Sequence, residues 1–130
     1  MLKKIEAIIR EDKLGDVKDA LDAIGIRGMN IVEIRGRGRQ GGITLAGRSG
    51  TYQVDLLPKV QINIVLSEHN LDETVEAIIE AARTGQAGDG LIFVYPVEKV
   101  IRIRTGERSH EALMYPDDID QRRAAQTDPN

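Results

Sequence analysis

Glycines and arginines crowd one segment of the chain, residues 36–50. It contains six glycines and three arginines, Arg37, Arg39 and Arg48, and Gln40 follows the second of these. Glycines let backbone N–H groups approach an anion closely, and guanidinium and amide groups add charge and hydrogen bonds at the rim. The segment predicts either a phosphate cradle or a surface loop whose arginines are merely solvated, and by itself it favours neither.

The beginning of this segment, residues 36–41, also fits the pattern G-x-G-x-x-G of dinucleotide-binding folds. In those folds a helix follows at once, and its N-terminus receives the pyrophosphate. Here Gly42, Gly47 and Gly50 stand where the helix would begin. We therefore reject the dinucleotide interpretation.

Two later segments carry further groups suited to phosphate. Residues 84–90 form a second glycine-rich turn, which lacks the G-K-[ST] of a Walker P-loop. Arg102 and Arg104 alternate with isoleucines, so a strand over 97–104 would project both guanidinium groups from one face, about 7 Å apart. Taken alone, a segment of either kind more often has a structural role than a ligand-binding one. Together with the first segment they favour an anion site.

Hydrophobic periodicity predicts the elements that would position these groups. Alternation or β-branched runs predict strands at 4–9, 31–34, 60–66 and 91–95, and helical spacing predicts helices at 14–24 and 71–82. Asn70 with Glu73 predicts an N-terminal cap for the second helix. The order β-α-β-β-α-β predicts an α+β, ferredoxin-like sandwich with both helices on one face of an antiparallel sheet. Its other face stays uncovered, which predicts self-association.

Composition excludes several functions. The 130 residues fit one domain, and the absence of cysteine excludes disulfides, thiolate nucleophiles and cysteine-type zinc sites. A net charge of −3 argues against nucleic acid as a partner. The two isolated histidines, His69 and His110, give little support to a catalytic triad or a histidine metal site. No apolar run approaches the ~20 residues of a membrane span, and no signal peptide precedes the first strand, which predicts a cytoplasmic protein.

Seven short motifs follow one another along the chain: KIEAIIR at 4–10, GIRGM at 25–29, GRQ at 38–40, DLLPKV at 55–60, ARTG at 82–85, GDG at 88–90 and IRIRTGE at 101–107. In this order they resemble the PII nitrogen-regulatory signal-transduction proteins. The resemblance implies a homotrimer of ferredoxin-like domains at 1–112, with ATP or ADP in each cleft between subunits. It also implies a long T-loop, about 37–55, that docks on a target protein: a transporter, an enzyme or a regulator. Any contact with a membrane would be through such a partner. Residues 113–130 are polar and predict a mobile C-terminal tail.

The resemblance also implies which residues bind ligands. Those for the nucleotide phosphates are Gly36, Arg37, Gly38, Arg39, Gln40, Gly88, Asp89, Gly90, and Arg102 and Arg104 from the neighbouring subunit; the adenine would lie near Ile8, Asn63 and Val65. In this family 2-oxoglutarate chelates Mg²⁺ together with the nucleotide phosphates and a glutamine that matches Gln40. Lys59 would face the far carboxylate. Tyr52 matches a tyrosine that some relatives have uridylylated, and Arg48 matches an arginine that reaches into targets.

A sensor of this kind needs no catalytic group, so the resemblance implies a non-enzymatic protein. Because members of this family can show slow ATP hydrolysis, the resemblance also allows an ATP hydrolase. That hypothesis is weaker, since no evident general base accompanies the arginines. The glycines of 36–51 predict that this segment is mobile in the free protein and becomes ordered when ligand or partner binds.

This chain departs from the family at several positions. Leu91 stands where the family usually carries a lysine against the phosphates, and Arg37 stands where an aromatic residue is usual. The alternative function is therefore a PII-like trimer with weakened adenylate sensing, which would sense another small anion such as bicarbonate or serve as an oligomeric scaffold.

Overall fold

The computed structural model describes residues 1–37, 43–48, 50–54, 56–108 and Ile119. Within these residues the strands are β1 (Leu2–Arg10), β2 (Asn30–Gly36), β3 (Ile43–Gly47), β4 (Gly50–Val54), β5 (Leu57–Ser67) and β6 (Gly90–Val97), and the α-helices are α1 (Leu14–Ala23) and α2 (Leu71–Ala82). Short 3-10 helices, Glu11–Lys13 and Glu68–Asn70, lead into the two α-helices. Among the described residues no helix is both long enough and apolar enough to cross a membrane.

Four strands form one antiparallel sheet in the order β2-β5-β1-β6. Alternate residues of the two central strands, including Ile5, Ile9, Ile62 and Ile64, are buried on the face that the helices cover. Each such aliphatic side chain contributes about 1.5–3 kcal/mol when it leaves water. The predicted ferredoxin-like sandwich with two helices is confirmed.

The helices pack on the sheet and on each other through narrow apolar stripes. Val17 and Leu21 of α1 and Ile78 of α2 are essentially inaccessible to solvent. Asn70 precedes α2 as predicted, but its side chain makes no capping hydrogen bond. The 3-10 turn ahead of α2 explains the difference, because the side-chain oxygen of Ser67 accepts from the N–H of His69 and begins that turn instead.

The second face of the sheet carries no helix. Leu91, Phe93 and Tyr95 of β6 lie on this face, and all three are at least 40% exposed. The same face continues across Ile8 of β1 to Val32 of β2. We call it the open face of the sheet.

The strand predicted over 97–104 is wrong. β6 ends at Val97, and the following residues form a tight turn closed by an isolated bridge between Ile101 and Arg108. Within it the N–H of Arg102 donates to the carbonyl of Glu107 at 2.8 Å, and Gly106 has a φ of 73°. A left-handed residue of this kind reverses the chain, so alternation of side chains breaks down after Ile101. Arg102 and Arg104 therefore do not project from one strand.

The segment 37–55 contains regular structure that the sequence pattern did not predict. β3 and β4 pair as a two-stranded antiparallel hairpin, with Ile43 opposite Val54 and Gly47 opposite Gly50. Gly38, Arg39 and Gln40 lie outside the described residues. The predicted mobility of 36–51 stays a prediction.

One residue of the C-terminal segment, Ile119, belongs to the core. It is 4% exposed, and its N–H donates to the carbonyl of Gly25 at 2.9 Å. The polar pattern of 113–130 gave no sign of this contact, since a lone isoleucine among acidic residues has no periodicity. The rest of the predicted tail lies outside the described residues.

Candidate functional site

A cleft of about 640 Å³ opens where the end of β2 and the start of β5 face the turn that leads into β6. Its lining comprises Ile8, Ile34, Arg35, Gly36, Arg37, Leu57, Lys59, Ala87, Gly88, Gly90 and Leu91. Six of these residues, from four distant parts of the chain, are among those that the sequence analysis assigned to ligand binding. The fold thus brings the first glycine-arginine segment and the second glycine-rich turn to one place.

The pairing of the strands accounts for this convergence. In the register of the sheet Gly36 lies opposite Leu57, and Ile8 lies opposite Leu91. Since β1 lies between β5 and β6, the start of β5 and the start of β6 meet on the two sides of one end of β1. The cleft therefore depends on the whole sheet rather than on any one motif.

The turn before β6 is built on Asp89. Its carboxylate accepts hydrogen bonds from the backbone N–H groups of Thr84 and Gly85, each at 2.9 Å, and from the Thr84 hydroxyl at 2.5 Å. The guanidinium of Arg10 donates to it at 2.9 Å. The Thr84 hydroxyl and then Arg10 hold the pKa of Asp89 well below its usual range, so it stays ionised. Asp89, assigned from the resemblance to the nucleotide, is in this structure engaged with its own turn and does not line the cleft.

Arg10 is a residue that the sequence analysis did not assign to the site. Besides its ion pair with Asp89, it donates from Nη2 to the carbonyl of Ala87 at 2.7 Å. It thereby fastens both the middle and the end of the turn to the last residue of β1. The two partners of the ion pair are 79 positions apart, so no spacing in the sequence could have revealed it.

Lys59 approaches the same turn from β5. Its ammonium group donates a hydrogen bond to the carbonyl of Gly88, and the side chain lines the cleft. Burial, reinforced by the nearby charge of Arg10, lowers the pKa of Lys59 from the ordinary lysine value. The cleft therefore holds a cation that an anion entering it would stabilise.

Position 90 accepts only glycine, because of its backbone conformation and its close approach to β1. It has a φ of 112°, and a Cβ added there would lie 1.8 Å from the carbonyl oxygen of Ile8. Gly88 also has a positive φ, of 96°. The two glycines let the turn lie directly against β1, which leaves the backbone of the turn beside the cleft.

Other predicted site residues lie elsewhere in the chain. Asn63 and Val65 lie further along β5 on the open face, on the same side as Lys59, but outside the lining of the cleft. Arg102 and Arg104 lie in the turn after β6, where the guanidinium of Arg102 is 3.4 Å from the carboxylate of Glu107, and neither lines the cleft.

The residues predicted to contact a partner lie in the hairpin. Arg48 is exposed in the turn between β3 and β4, and Tyr52 lies in β4 opposite Leu45. Gln40, the predicted Mg²⁺ ligand, lies outside the described residues together with Gly38 and Arg39. Among the described residues no group of three or more histidine, aspartate and glutamate side chains is arranged to hold a metal ion.

Comparison with known proteins gives concordant matches. The family model for nitrogen regulatory protein P-II matches residues 2–107. The chain is 54% identical over 112 residues to nitrogen regulatory protein P-II of Pasteurella multocida, which covers 86% of this chain and all of the relative. It is 55% identical over 112 residues to nitrogen regulatory protein P-II 1 of Methanothermobacter thermautotrophicus, covering 86% of this chain and 97% of the relative.

A solved structure is similar in fold as well as in sequence. The crystal structure of Arabidopsis thaliana PII bound to citrate superposes with a TM-score of 0.71 at 40% sequence identity. The match covers 85% of this chain and 91% of the plant protein. The likeness thus extends over most of both chains.

Proposed function

The chain belongs to the nitrogen regulatory protein P-II family, and on that premise we propose that it is a non-enzymatic signal-transduction protein. In this proposal it forms a homotrimer, binds ATP or ADP in clefts between subunits, and regulates a partner protein through the segment 37–55. The observation that carries the proposal is the cleft at the end of β1, where Gly36, Arg37, Lys59 and the Gly88–Gly90 turn meet. Its charged lining residues are the cations Arg35, Arg37 and Lys59, which suit phosphate.

The open face of the sheet supports the trimer. Its exposed apolar side chains, Leu91, Phe93, Tyr95 and Val32, would leave water at a subunit contact. The cleft reaches this face through Ile8 and Leu91. A neighbouring subunit that covered the face would therefore also close the cleft, and its Arg102 and Arg104 would supply the remaining positive charge for the phosphates.

The residues also fit the second effector that the family implies. Mg²⁺ prefers six oxygen ligands in octahedral array, and phosphate oxygens, a 2-oxo acid and the amide oxygen of Gln40 would supply them. When bound, the ion would neutralise phosphate charge and hold the acid against the nucleotide. Lys59 would face the far carboxylate, for which its position in the cleft beside Gly88 is suited.

Leu91 favours the second candidate function. It is 65% exposed and lies in the lining of the cleft, where it presents no charge to a phosphate. A charge-assisted hydrogen bond contributes about 1.5–3 kcal/mol, so a site without one binds ATP roughly ten- to a hundredfold less tightly. In that candidate the trimer senses another small anion, such as bicarbonate, or acts as a scaffold.

The proposal predicts one oligomer and one ligand. Light scattering at micromolar concentration is expected to give three times the mass of the 14.4 kDa chain, since the open face would otherwise stay in water. Calorimetric titration with ATP is expected to give saturable binding of one nucleotide per chain, with GTP as the comparison. A monomer mass would contradict the trimer. An absence of binding with every adenine nucleotide would leave the second candidate, a sensor of another small anion or a scaffold.

Leu91→Lys is expected to strengthen ATP binding by roughly ten- to a hundredfold, because the new ammonium group would add a charge-assisted contact in the cleft. The measurement is the dissociation constant for ATP by calorimetry. Leu91→Gln is the matched control, since it is polar but uncharged and should gain much less. Equal constants in the wild type and both variants would show that Arg37 already fills this place or that the site takes another ligand.

A further inference from the structure

A chain of hydrogen bonds crosses the open face of the sheet. The hydroxyl of Tyr95 in β6 donates to Oε2 of Glu6 in β1 at 3.1 Å. The amide nitrogen of Gln61 in β5 donates to Oε1 of the same carboxylate at 3.2 Å and to Oδ1 of Asn63 at 3.1 Å. The chain thus connects three strands and ends at Asn63.

The carboxylate of Glu6 fixes which group donates and which accepts in each of these hydrogen bonds. An ionised carboxylate only accepts hydrogen bonds, so the group of Gln61 that faces Glu6 must be its NH₂. The second hydrogen of that NH₂ goes to Asn63, which must present its oxygen to Gln61. The amide of Asn63 is therefore held with its oxygen inward, and its NH₂ is the group left to donate to a ligand.

Tyr95, at the other end of this series of hydrogen bonds, is held in place as well. Hydrogen bonding to Glu6 raises the pKa of Tyr95, which keeps the phenol protonated as a donor. The ammonium of Lys4 lies 5.9 Å from the centre of the Tyr95 ring, within the range of a cation–π contact. Glu6 thus accepts on both of its oxygens. Inverting the amide of Gln61 would break its hydrogen bond to Glu6, and inverting the amide of Asn63 would break its hydrogen bond to Gln61.

We propose that Glu6 and Gln61 are positioning residues that hold Asn63 as a hydrogen-bond donor to a ring nitrogen of the bound purine. This inference rests on the proposed nucleotide site. Asn63 follows Lys59 by four residues on the same face of β5, a distance of about 13 Å along the strand. A ligand that reaches both must be extended, with an anionic end at Lys59 and an acceptor at Asn63. A nucleoside triphosphate has both.

The direction of the hydrogen bond can be tested with analogues of ATP in which one ring nitrogen is replaced by CH. Calorimetric titration of the wild type with 1-deaza-, 3-deaza- and 7-deaza-ATP is expected to show one analogue that binds about five- to tenfold more weakly than ATP, as the loss of one hydrogen bond implies. In Asn63→Asp, which keeps the size of the side chain but loses the donor, the penalty of that analogue relative to ATP is expected to disappear.

Glu6→Gln tests the positioning role. An amide at residue 6 accepts or donates, so the orientation of Gln61 and Asn63 is no longer fixed, and the analogue penalty should fall to twofold or less. Glu33→Gln makes the same change in edge strand β2, on the opposite face of the sheet, and should leave the penalty intact. A purely structural role would lower the affinity for ATP and all analogues alike and leave their ratios unchanged.

The outcomes separate this inference from the proposed function. Equal affinities of the wild type for ATP and all three analogues would overturn the inference while leaving nucleotide binding in place. A penalty that persists in Asn63→Asp would do the same. If the wild type binds no purine nucleotide, the proposed function fails and the inference fails with it. Gln61→Met is a second variant that breaks this series of hydrogen bonds. It is expected to behave as Glu6→Gln does, and it leaves the charge of the protein unchanged.

Discussion

Replacing Gly90 with alanine is expected to lower the free energy of unfolding by about 3 kcal/mol or more. The added Cβ would lie 1.8 Å from the carbonyl oxygen of Ile8, far inside contact distance, and the backbone φ of 112° is itself unfavourable for any side chain. The clash lies within the β1–β6 ladder, where Gly90 faces Ile9, so the backbones on both sides of it are held by strand pairing. Neither can yield without opening that end of the sheet, so ligand binding in the cleft should be lost as well. Urea denaturation followed by circular dichroism measures the effect.

Two other glycines provide controls for Gly90→Ala. Gly85 has a φ of 89° but open space where a Cβ would go, so Gly85→Ala tests backbone strain without the clash and should cost about 1 kcal/mol. Gly15 lies in α1 with nothing within 4 Å, and Gly15→Ala should stabilise the protein by about 0.5–1 kcal/mol. If Gly90→Ala and Gly85→Ala unfold at the same urea concentration, the close approach to Ile8 is not what makes Gly90 necessary.

The parts of the fold that the sequence predicts are those in which one face is buried. In β1 and β5 every second residue enters the core, so Ile5, Ile62 and Ile64 leave a clear period of two. In α1 the core contacts Val17 and Leu21 recur at a helical spacing. Period and burial have the same cause in these elements, which is why the pattern and the structure agree.

The parts that the sequence does not predict depend on contacts that leave no period. Residues 101–104 alternate as a strand would, yet the φ of 73° at Gly106 turns the chain and overrides the alternation. The β3–β4 hairpin is short and forms a sheet of its own, so the alternation of the main sheet does not extend into it. Ile119 contacts the core from a segment whose sequence shows no apolar periodicity.

The same distinction applies to the candidate site, where some residues can be predicted from the sequence and others cannot. Its glycines can be predicted from residue type, because backbone that must lie close to an anion or to another strand requires glycine. Lys59 is assigned only through the resemblance to the P-II family. The ion pair of Arg10 with Asp89 cannot, because its partners meet only after β1 and β6 have paired. The resemblance assigns Asp89 to the ligand. In the structure its carboxylate accepts hydrogen bonds from Thr84, Gly85 and Arg10, contacts that no sequence motif reveals.

Replacing Lys59 with methionine is expected to weaken the binding of 2-oxoglutarate by a hundredfold or more when Mg²⁺ and ATP are present. Methionine keeps much of the length of the side chain but removes the charge, so the carboxylate that faces Lys59 would lose this ammonium group. The affinity for ATP should change much less, because the Arg side chains and the backbone of the turn remain. Gln40→Ala should abolish the same binding, because it removes the proposed ligand of Mg²⁺. Calorimetric titration of 2-oxoglutarate into the Mg-ATP complex measures both variants.

The pH dependence of this binding follows from the environment of Lys59. Burial and the charge of Arg10 lower its pKa, so the ammonium form that the carboxylate needs is lost at a lower pH than for an ordinary lysine. Affinity for 2-oxoglutarate should therefore be greatest where Lys59 is charged and should fall as the pH rises through the lowered pKa. Lys18→Met, on the exposed side of α1, is the matched control and should keep both the affinity and its pH profile. Binding that survives in Lys59→Met, or that needs no magnesium, would show that the acid is held by other groups, and the contact of Lys59 with Gly88 would then serve only to fix the turn.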